Sequence, residues 1–412
     1  MTSPRISRRR VLGGAGAALA ALPFGAPLGR LLAAESKTGS AVGDFATTTL
    51  ATRMTPGVSA AVATSDARIV TAVAGLADPQ AGLAMTNATR LMGGSIGKTF
   101  CAATLLSLAE DGILDLDAPI APVFADESWF ARLPNAKALT LRMLLMHGAG
   151  FPQFLDIGAF MRSYMWDAMA GADIAYSPRK MLSFILDAAP LNEPGAAHAY
   201  SDLHYHLAGI TAEKITGRPY YTLLQERVMT RLGDPHGDVL PANTRTIPGL
   251  AAGFARGDVI AAMAGMTGRT TDDAGVLRHD PSLEYTGGGL ALTPRALARF
   301  YWKLARGEII SPASFAQMTA STLPVVKTAE VTSVYGLGVF VNERAGFGRY
   351  ISHSGFFPGF TSNVGYFLDH GFAASVQCNT DHGPDINQAL RDLASGVIAG
   401  KAQSAGIGAR MA

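Results

Sequence analysis

Gly93-Gly94-Ser95-Ile96-Gly97-Lys98, continuing into the apolar run Thr99–Leu108, is the stretch on which the reading of this chain turns. Residues three apart on a helix share one face, so the Ser95 hydroxyl and the Lys98 amine can meet. A serine hydroxyl is a weak nucleophile until a neighbouring group takes or polarises its proton, and a lysine held in a partly desolvated pocket can do that. Ser-x-x-Lys is also a common tetrapeptide whose ordinary reading is a solvated helix face. Its weight therefore depends on what surrounds it. Ala, Leu and Cys at helical spacing continue the helix to a stop at Gly112.

Working outward, Gly57–Thr64 and Arg68–Leu76 are Val- and Ala-rich runs separated by Ser-Asp-Ala, which reads as an antiparallel hairpin. Residues 35–53 read as a polar lead-in. From Ala118 to about Asp280 the chain is irregular and punctuated by Pro119, Pro122, Pro134, Pro152, Pro178, Pro190 and Pro194, the pattern of a helical insertion with long loops. Strand signals return at Tyr335–Asn342, Arg349–His353, Thr361–Leu368 and Ala373–Cys378, before a last helix over Ile386–Ile398. Strands at both chain ends with helices between them predict an α+β fold. One antiparallel sheet is assembled from both termini, flanked by helices, with a helical subdomain inserted over about 118–280.

The chain has 412 residues, 48% hydrophobic and 16% charged, enough to fill a sizeable core. Its net charge of +2 is misleading, because five arginines and no acid fall in the first 34 residues. The remainder holds 29 basic against 32 acidic residues, and no basic run follows Arg30, so nucleic acid is not an expected partner. Ser7-Arg8-Arg9-Arg10-Val11-Leu12 opens an uncharged stretch to Gly29, with small residues at Ala33-Ala34. This is the pattern of a twin-arginine signal peptide over 1–34, which implies a periplasmic or secreted protein. Its glycines and prolines weaken a membrane-spanning helix, so no stable span is expected after signal removal.

Further segments carry chemistry. Pro194-Gly195 turns into Ala199-Tyr200-Ser201-Asp202, a phenol and an acid two residues apart. A tyrosine is a useful proton shuttle when its surroundings allow it; the plainer reading is a packing tyrosine and an aspartate capping the next helix. His353-Ser354-Gly355-Phe356 ends one strand and leaves an edge against which a substrate can lie. Tyr335-Gly336-Leu337-Gly338 and Gly287-Gly288-Gly289-Leu290 are glycine-rich, but neither opens a phosphate-cradling helix, and no cofactor is expected. His198, His204 and His206 lie near Tyr200 without a metal-binding helix motif, so structural or pocket-lining roles are expected, and no metal. Cys101 and Cys378 read as two free thiols, with a bridge between them as the alternative. Phe151, Phe154, Tyr164, Trp166, Phe356 and Phe357 either line an apolar pocket or pack.

Taken in order, Pro56-Gly57-Val58-Ser59, Ser95-x-x-Lys98, Asp115-Leu116-Asp117, Leu144-Leu145-Met146-His147, Tyr200-Ser201-Asp202, Gly287-Gly288-Gly289 and His353-Ser354-Gly355 resemble the serine β-lactamase and penicillin-binding-protein superfamily. The likeness is to its class C β-lactamase-like branch, with D-alanyl-D-alanine carboxypeptidase, D-aminopeptidase and esterase relatives. The resemblance implies that Ser95 forms the acyl-enzyme, Lys98 activates it and Tyr200 shuttles protons. It also implies that the backbone amides of Ser95 and Phe356 form the oxyanion hole. Asp202, His353, Ser354 and Gly355 would position a small ester, a peptide or a peptidoglycan-derived substrate. Two positions depart from the lactamase pattern: Asp202 stands where asparagine is usual, and His353 where lysine is usual. An ionised aspartate only accepts hydrogen bonds and holds Lys98 in its charged form, and histidine weakens a fixed positive charge. Both departures shift the expectation from lactams towards esters or neutral amides.

Two rival readings bear on the same residues. Gly93-Gly94-Ser95-Ile96-Gly97 also fits the Gly-x-Ser-x-Gly elbow of α/β-hydrolases, but Asp381-His382 are adjacent and the alternating strand–helix pattern of a parallel sheet is missing. A non-catalytic peptidoglycan or ligand receptor on the same fold is opposed by the intact set of Ser95, Lys98 and Tyr200.

Overall fold

In the computed structural model the described residues are 37–52, 55–169, 175–234, 236–256, 268–320 and 322–408. The twin-arginine signal expected over 1–34 lies outside them. After helix α1 (Lys37–Thr52) come strands β1 (Gly57–Ala63), β2 (Ile69–Asp78), β3 (Leu83–Ala84) and β4 (Leu91–Met92), then helix α2 (Gly97–Glu110). Short helices α3 (Leu141–Leu145), α4 (Gly158–Met169), α5 (Pro178–Ser183) and α6 (Asp202–Thr216) follow. Next are β5 (Val239–Pro241), β6 (Phe254–Ala255), β7 (Gly268–Arg269) and β8 (Leu290–Leu292). The chain closes with β9 (Leu323–Lys327), β10 (Val331–Tyr335), β11 (Phe340–Arg344), β12 (Gly348–Phe357), β13 (Phe360–Phe367), β14 (Phe372–Cys378) and the helix Ile386–Gly408.

The main sheet runs β3-β2-β1-β14-β13-β12-β11-β10-β9 with every pairing antiparallel. Its centre joins the two chain ends, Val58 opposite Cys378 and Ala63 opposite Ala373. Both of these strands are buried on both faces, which is why each reads as an apolar run with no polar alternation. Val58, Ala60 and Val62 point into a core shared with Val42 and Ala46 of α1 and Leu390, Leu393 and Val397 of the C-terminal helix. Ala61 and Ala63 point into the larger core around α2 and the helix Pro294–Ala305. The polar lead-in expected at 35–53 is therefore mostly α1, a helix needed to cover the outer face of the sheet.

Two strand readings are also refined. The single strand expected over Tyr335–Asn342 is split into β10 and β11 by a turn at Gly336–Val339, where Gly338 has φ 76°. The 118–280 segment contains short strands besides its helices, with β5 joining β4 and β8 in a second small sheet.

Helix α2 is buried on every side from Gly97 to Leu108, the condition in which a helix loses its amphipathic signature. It runs through the middle of the molecule, so Ser95 at its entrance lies where the sheet meets the helical region. Cys101 and Cys378 are both buried and free. Among the described residues no helix is long and apolar enough to cross a membrane.

Candidate active site

Ser95 sits in a single 3-10 turn, Gly94–Ile96, that leads into α2. The turn depends on glycine. Gly94 has φ 51°, and a methyl group on it would stand 2.4 Å from the Phe356 carbonyl oxygen and 2.6 Å from its amide nitrogen. Strand β11 pairs with β12 only as far as Ser352, so from His353 onward no strand among the described residues pairs with that edge of β12. The Phe356 backbone therefore lies against the Ser95 turn, and Gly355 packs on the Gly93 carbonyl so closely that a side chain there would collide with it. Ser362 Oγ donates to the same carbonyl at 2.8 Å, tying β13 to the turn.

Lys98 is fully buried, and its three donors have three acceptors. Nζ donates to Ser95 Oγ at 2.9 Å, to Asp202 Oδ1, and to the Gly287 carbonyl at 3.1 Å. It also lies 5.0 Å from the centroid of the Tyr200 ring. The Tyr200 hydroxyl is hydrogen-bonded to Ser95. Burial and the negative charge of Asp202 raise its proton affinity well above the usual phenol range, against the hydrogen bond from Ser95. In the free protein Tyr200 is thus a neutral phenol.

The N-cap of α6 is Ser201, whose Oγ accepts from the Leu203 amide at 3.3 Å. Asp202 is the first helical residue rather than the cap. Its carboxylate is placed at the favourable end of the helix dipole and faces Lys98. Burial pushes its proton affinity up, but the charge and hydrogen bond of Lys98, with a second bond from Gln153 Nε2 at 2.7 Å, bring it below the ordinary value. Gln153 returns the favour to the backbone, accepting from the Asp202 amide at 3.1 Å.

His147 holds Tyr200 from behind. At φ 57°, a conformation uncommon for a residue with a side chain, its carbonyl accepts from Ala199 at 2.8 Å and its Nδ1 from Ser201 at 3.3 Å. The residues on both sides of Tyr200 are thereby held through their amides, and the His147 and Tyr200 rings lie 4.2 Å apart. The hydrogen-bond network assigns the protons. His204 Nε2 accepts from the Phe151 amide, so its Nδ1 carries the hydrogen and donates to His147 Nδ1 at 3.0 Å. Burial pushes the His204 and His206 rings down to about 3 and about 4, so both are neutral. Among the described residues no group of three His, Cys, Asp or Glu is arranged to hold a metal.

The structure brings Ser95, Lys98, Tyr200, Asp202, Gly355 and Phe356 together, and treats His353 differently. Its ring is buried, with Nδ1 against the Ser354 carbonyl at 2.7 Å and Nε2 against the Tyr335 hydroxyl at 2.9 Å. A carbonyl only accepts, so Nδ1 carries the hydrogen and Nε2 accepts from Tyr335. Burial and the Lys98 charge push this ring down to about 3, so it is neutral and braces Tyr335 in place of offering a charge to a substrate. Of the aromatic residues considered for a pocket, Phe151, Phe154, Tyr164 and Phe357 are packed inside. Trp166 and Phe356 are exposed, at 74% and 55%.

A sequence profile of the beta-lactamase family matches residues 44–397. The chain belongs to the beta-lactamase family, a family of serine hydrolases. Among curated relatives it is 24% identical over 311 residues to Penicillin-binding protein 4* of Bacillus subtilis (strain 168), a match over 74% of this chain and 64% of that protein. The chain thus spans less than two thirds of that relative's length. Among solved structures, D-amino acid amidase from Ochrobactrum anthropi SV3 is 24% identical with a TM-score of 0.72, covering 89% of this chain and 100% of the other. A D-stereospecific amidohydrolase from Streptomyces sp. is 23% identical with a TM-score of 0.71, covering 86% and 97%. These two likenesses concern the fold.

Two contributors were invisible before the fold was known. Gln153 acts 49 residues from Asp202, with no local motif to mark it. Glu284 carries a partly buried carboxyl beside the same cluster, pushed up to about 8 by burial first and the Asp202 charge second, with Lys98 opposing.

Proposed function

We propose that this chain is an exported serine hydrolase that acts through a Ser95 acyl-enzyme on a small ester or a D-amino-acid peptide or amide, as an esterase or a D-alanyl-D-alanine carboxypeptidase-like enzyme would. The observation that carries the reading is the Lys98 ammonium at 2.9 Å from Ser95 Oγ, with the Tyr200 hydroxyl on the same oxygen. Ser95 attacks the substrate carbonyl carbon and passes its proton to the Tyr200 oxygen, while the Tyr200 proton goes to the leaving group. Lys98 stabilises the negative charge developing on Oγ. The amides of Ser95 and Phe356 receive the carbonyl oxygen as it becomes an oxyanion, a contribution of about 10²–10³ in rate per donor. Water then attacks the acyl-enzyme through the same relay in reverse. The amidases of Ochrobactrum and Streptomyces support the amide side of this reading by likeness of fold, and the paired arginines at 8–10 support export.

Against lactams stand Asp202, which accepts and cannot donate, and His353, whose ring is neutral and engaged within the protein. Intact-mass measurement after exposure to a fluorophosphonate tests the reading. One adduct on the wild type and none on Ser95→Ala is expected; an adduct that persists in Ser95→Ala would overturn it.

A further inference from the structure

The Tyr200 hydroxyl must meet Ser95, and the segment that carries it is held almost residue by residue from an earlier one, His147–Gln153. Ala199 donates its amide to the His147 carbonyl at 2.8 Å, and Ser201 donates its amide to His147 Nδ1 at 3.3 Å. Ser201 Oγ donates to the Pro152 carbonyl at 2.9 Å, the Asp202 amide to Gln153 Oε1 at 3.1 Å, and the Phe151 amide to His204 Nε2 at 3.2 Å. Tyr200 thus stands between two residues that the same histidine holds. Its ring lies 4.2 Å from that imidazole, and its hydroxyl is on Ser95.

Packing alone does not account for a histidine here. His147 is fully buried, and its φ of 57° is a region that glycine or asparagine enters at less cost. Its Nδ1 has one in-plane lone pair, which faces both the His204 Nδ1–H at 3.0 Å and the Ser201 amide, so the hydrogen of the neutral ring is on Nε2. That Nε2 is buried and meets no acceptor among the described residues, while the rings of Tyr200, Tyr335 and Tyr205 pack around the imidazole. A leucine would fill the space without an unpaired donor, and a glycine would take the backbone without strain. Strain and an orphaned N–H at one residue persist where something other than packing holds that residue in place. What neither leucine nor glycine supplies is an acceptor at Nδ1 that fixes Ser201 while the ring bears on Tyr200.

We propose that His147 is a positioning residue for the proton relay, acting through Tyr200 by keeping the phenol on Ser95 Oγ, with His204 orienting its ring. This rests on the reading of Tyr200 as the relay, and a double-mutant cycle separates the two. His147→Gly removes the ring and relieves the backbone. On an unactivated ester or amide its kcat should fall about tenfold to a hundredfold with KM within about twofold, because a displaced relay oxygen costs rate and not binding. On a nitrophenyl ester, whose leaving group needs little protonation, the loss should stay below about threefold. In the Tyr200→Phe background the same substitution should cost less than about twofold, since no relay oxygen is left to position. His147→Asn keeps an acceptor near the place of Nδ1 and tolerates the positive φ, so it should recover kcat to within about threefold of the wild type. His147→Leu, which fills the space without an acceptor, carries the same cycle if the glycine variant does not fold. A loss equal in the two backgrounds, equal for activated and unactivated substrates, or not relieved by His147→Asn would each assign His147 to packing and overturn the proposal. A Tyr200→Phe enzyme as active as the wild type on the unactivated substrate would instead remove the relay itself, and the role of His147 with it.

Discussion

The N-terminus of α6 and the segment Asp280–Gly289 each deliver one carboxyl to the neighbourhood of Lys98, and the two behave in opposite ways. Asp202 is more deeply enclosed by donors. It receives Lys98 and Gln153 and sits on a helix N-terminus, and its proton affinity is lowered despite burial. Glu284 is partly buried, receives no hydrogen bond among the described residues, and is pushed up to about 8 by burial and partly by Asp202 itself. The lesson is that the count of donors, more than depth, decides which carboxyl is charged, and that an ion pair satisfied at one carboxyl is withheld from the other.

Lys98 is the group that separates the two carboxyls, so its removal gives the largest effect. Lys98→Ala should abolish acylation, a loss of at least about 10³ in kcat, because members of a catalytic unit fail together. It should also raise the proton affinity of Asp202, which loses its main stabilising charge. Rapid quench with a chromogenic ester reads the first effect. A Lys98→Ala enzyme that still acylates at a comparable rate would sever Lys98 from the chemistry. Next comes Tyr200→Phe, which keeps the ring between His147 and Lys98 and deletes the relay oxygen. Turnover of an unactivated amide or ester should fall by roughly 10²–10⁴. Activated nitrophenyl esters should be affected less, since their leaving group needs little protonation. Equal activity on an unactivated substrate would refute the relay.

Asp202→Asn sharpens the comparison directly. The amide can donate to a substrate carbonyl, so amide turnover should rise relative to ester turnover by about tenfold, even if both fall. The same change deletes the charge that helps hold the Glu284 proton and raises the Tyr200 phenol. The alkaline inflection of the pH–rate profile should therefore move to lower pH. An unchanged ratio with an unchanged profile would show that Asp202 acts only as the first residue of α6.

How much of this was legible in the sequence follows the range of the interactions. Ser95 and Lys98 are one helical turn apart, and the buried strands β1 and β14 are continuous apolar runs, so both could be read locally. Helix α1 could not: Gly39 and Gly43 lower its helix propensity, and only Val42, Ala46 and Thr49 of its inner face are fully buried. The break between β10 and β11 is hidden because Leu337 and Val339 are themselves apolar and buried in the turn. The position of His353 at the end of a strand could be read locally, but its orientation depends on Tyr335, two strand pairings away. Gln153 and Glu284 owe their positions to tertiary packing alone, with no periodicity or motif to announce them.

The smallest expected effect concerns stability and isolates Glu284. Its proton is held more tightly in the folded protein, at about 8, than at its ordinary value of 4.5. A carboxyl of this kind contributes its full stability below the unfolded value, and that contribution is lost as pH rises through the folded value. The wild type should therefore lose stability progressively across the window from about pH 4.5 to 8 on account of this residue. Glu284→Gln cannot ionise and escapes the loss, while Asp202, Lys98, Tyr200 and His206, which face the same space, are left in place. The Tm of the variant minus that of the wild type should increase across the window by a few degrees and level off above it. Thermal unfolding of both proteins in matched buffers from pH 4.5 to 9 checks this. A difference that is flat with pH would mean that Glu284 titrates at its ordinary value, and the contrast with Asp202 would then reduce to geometry.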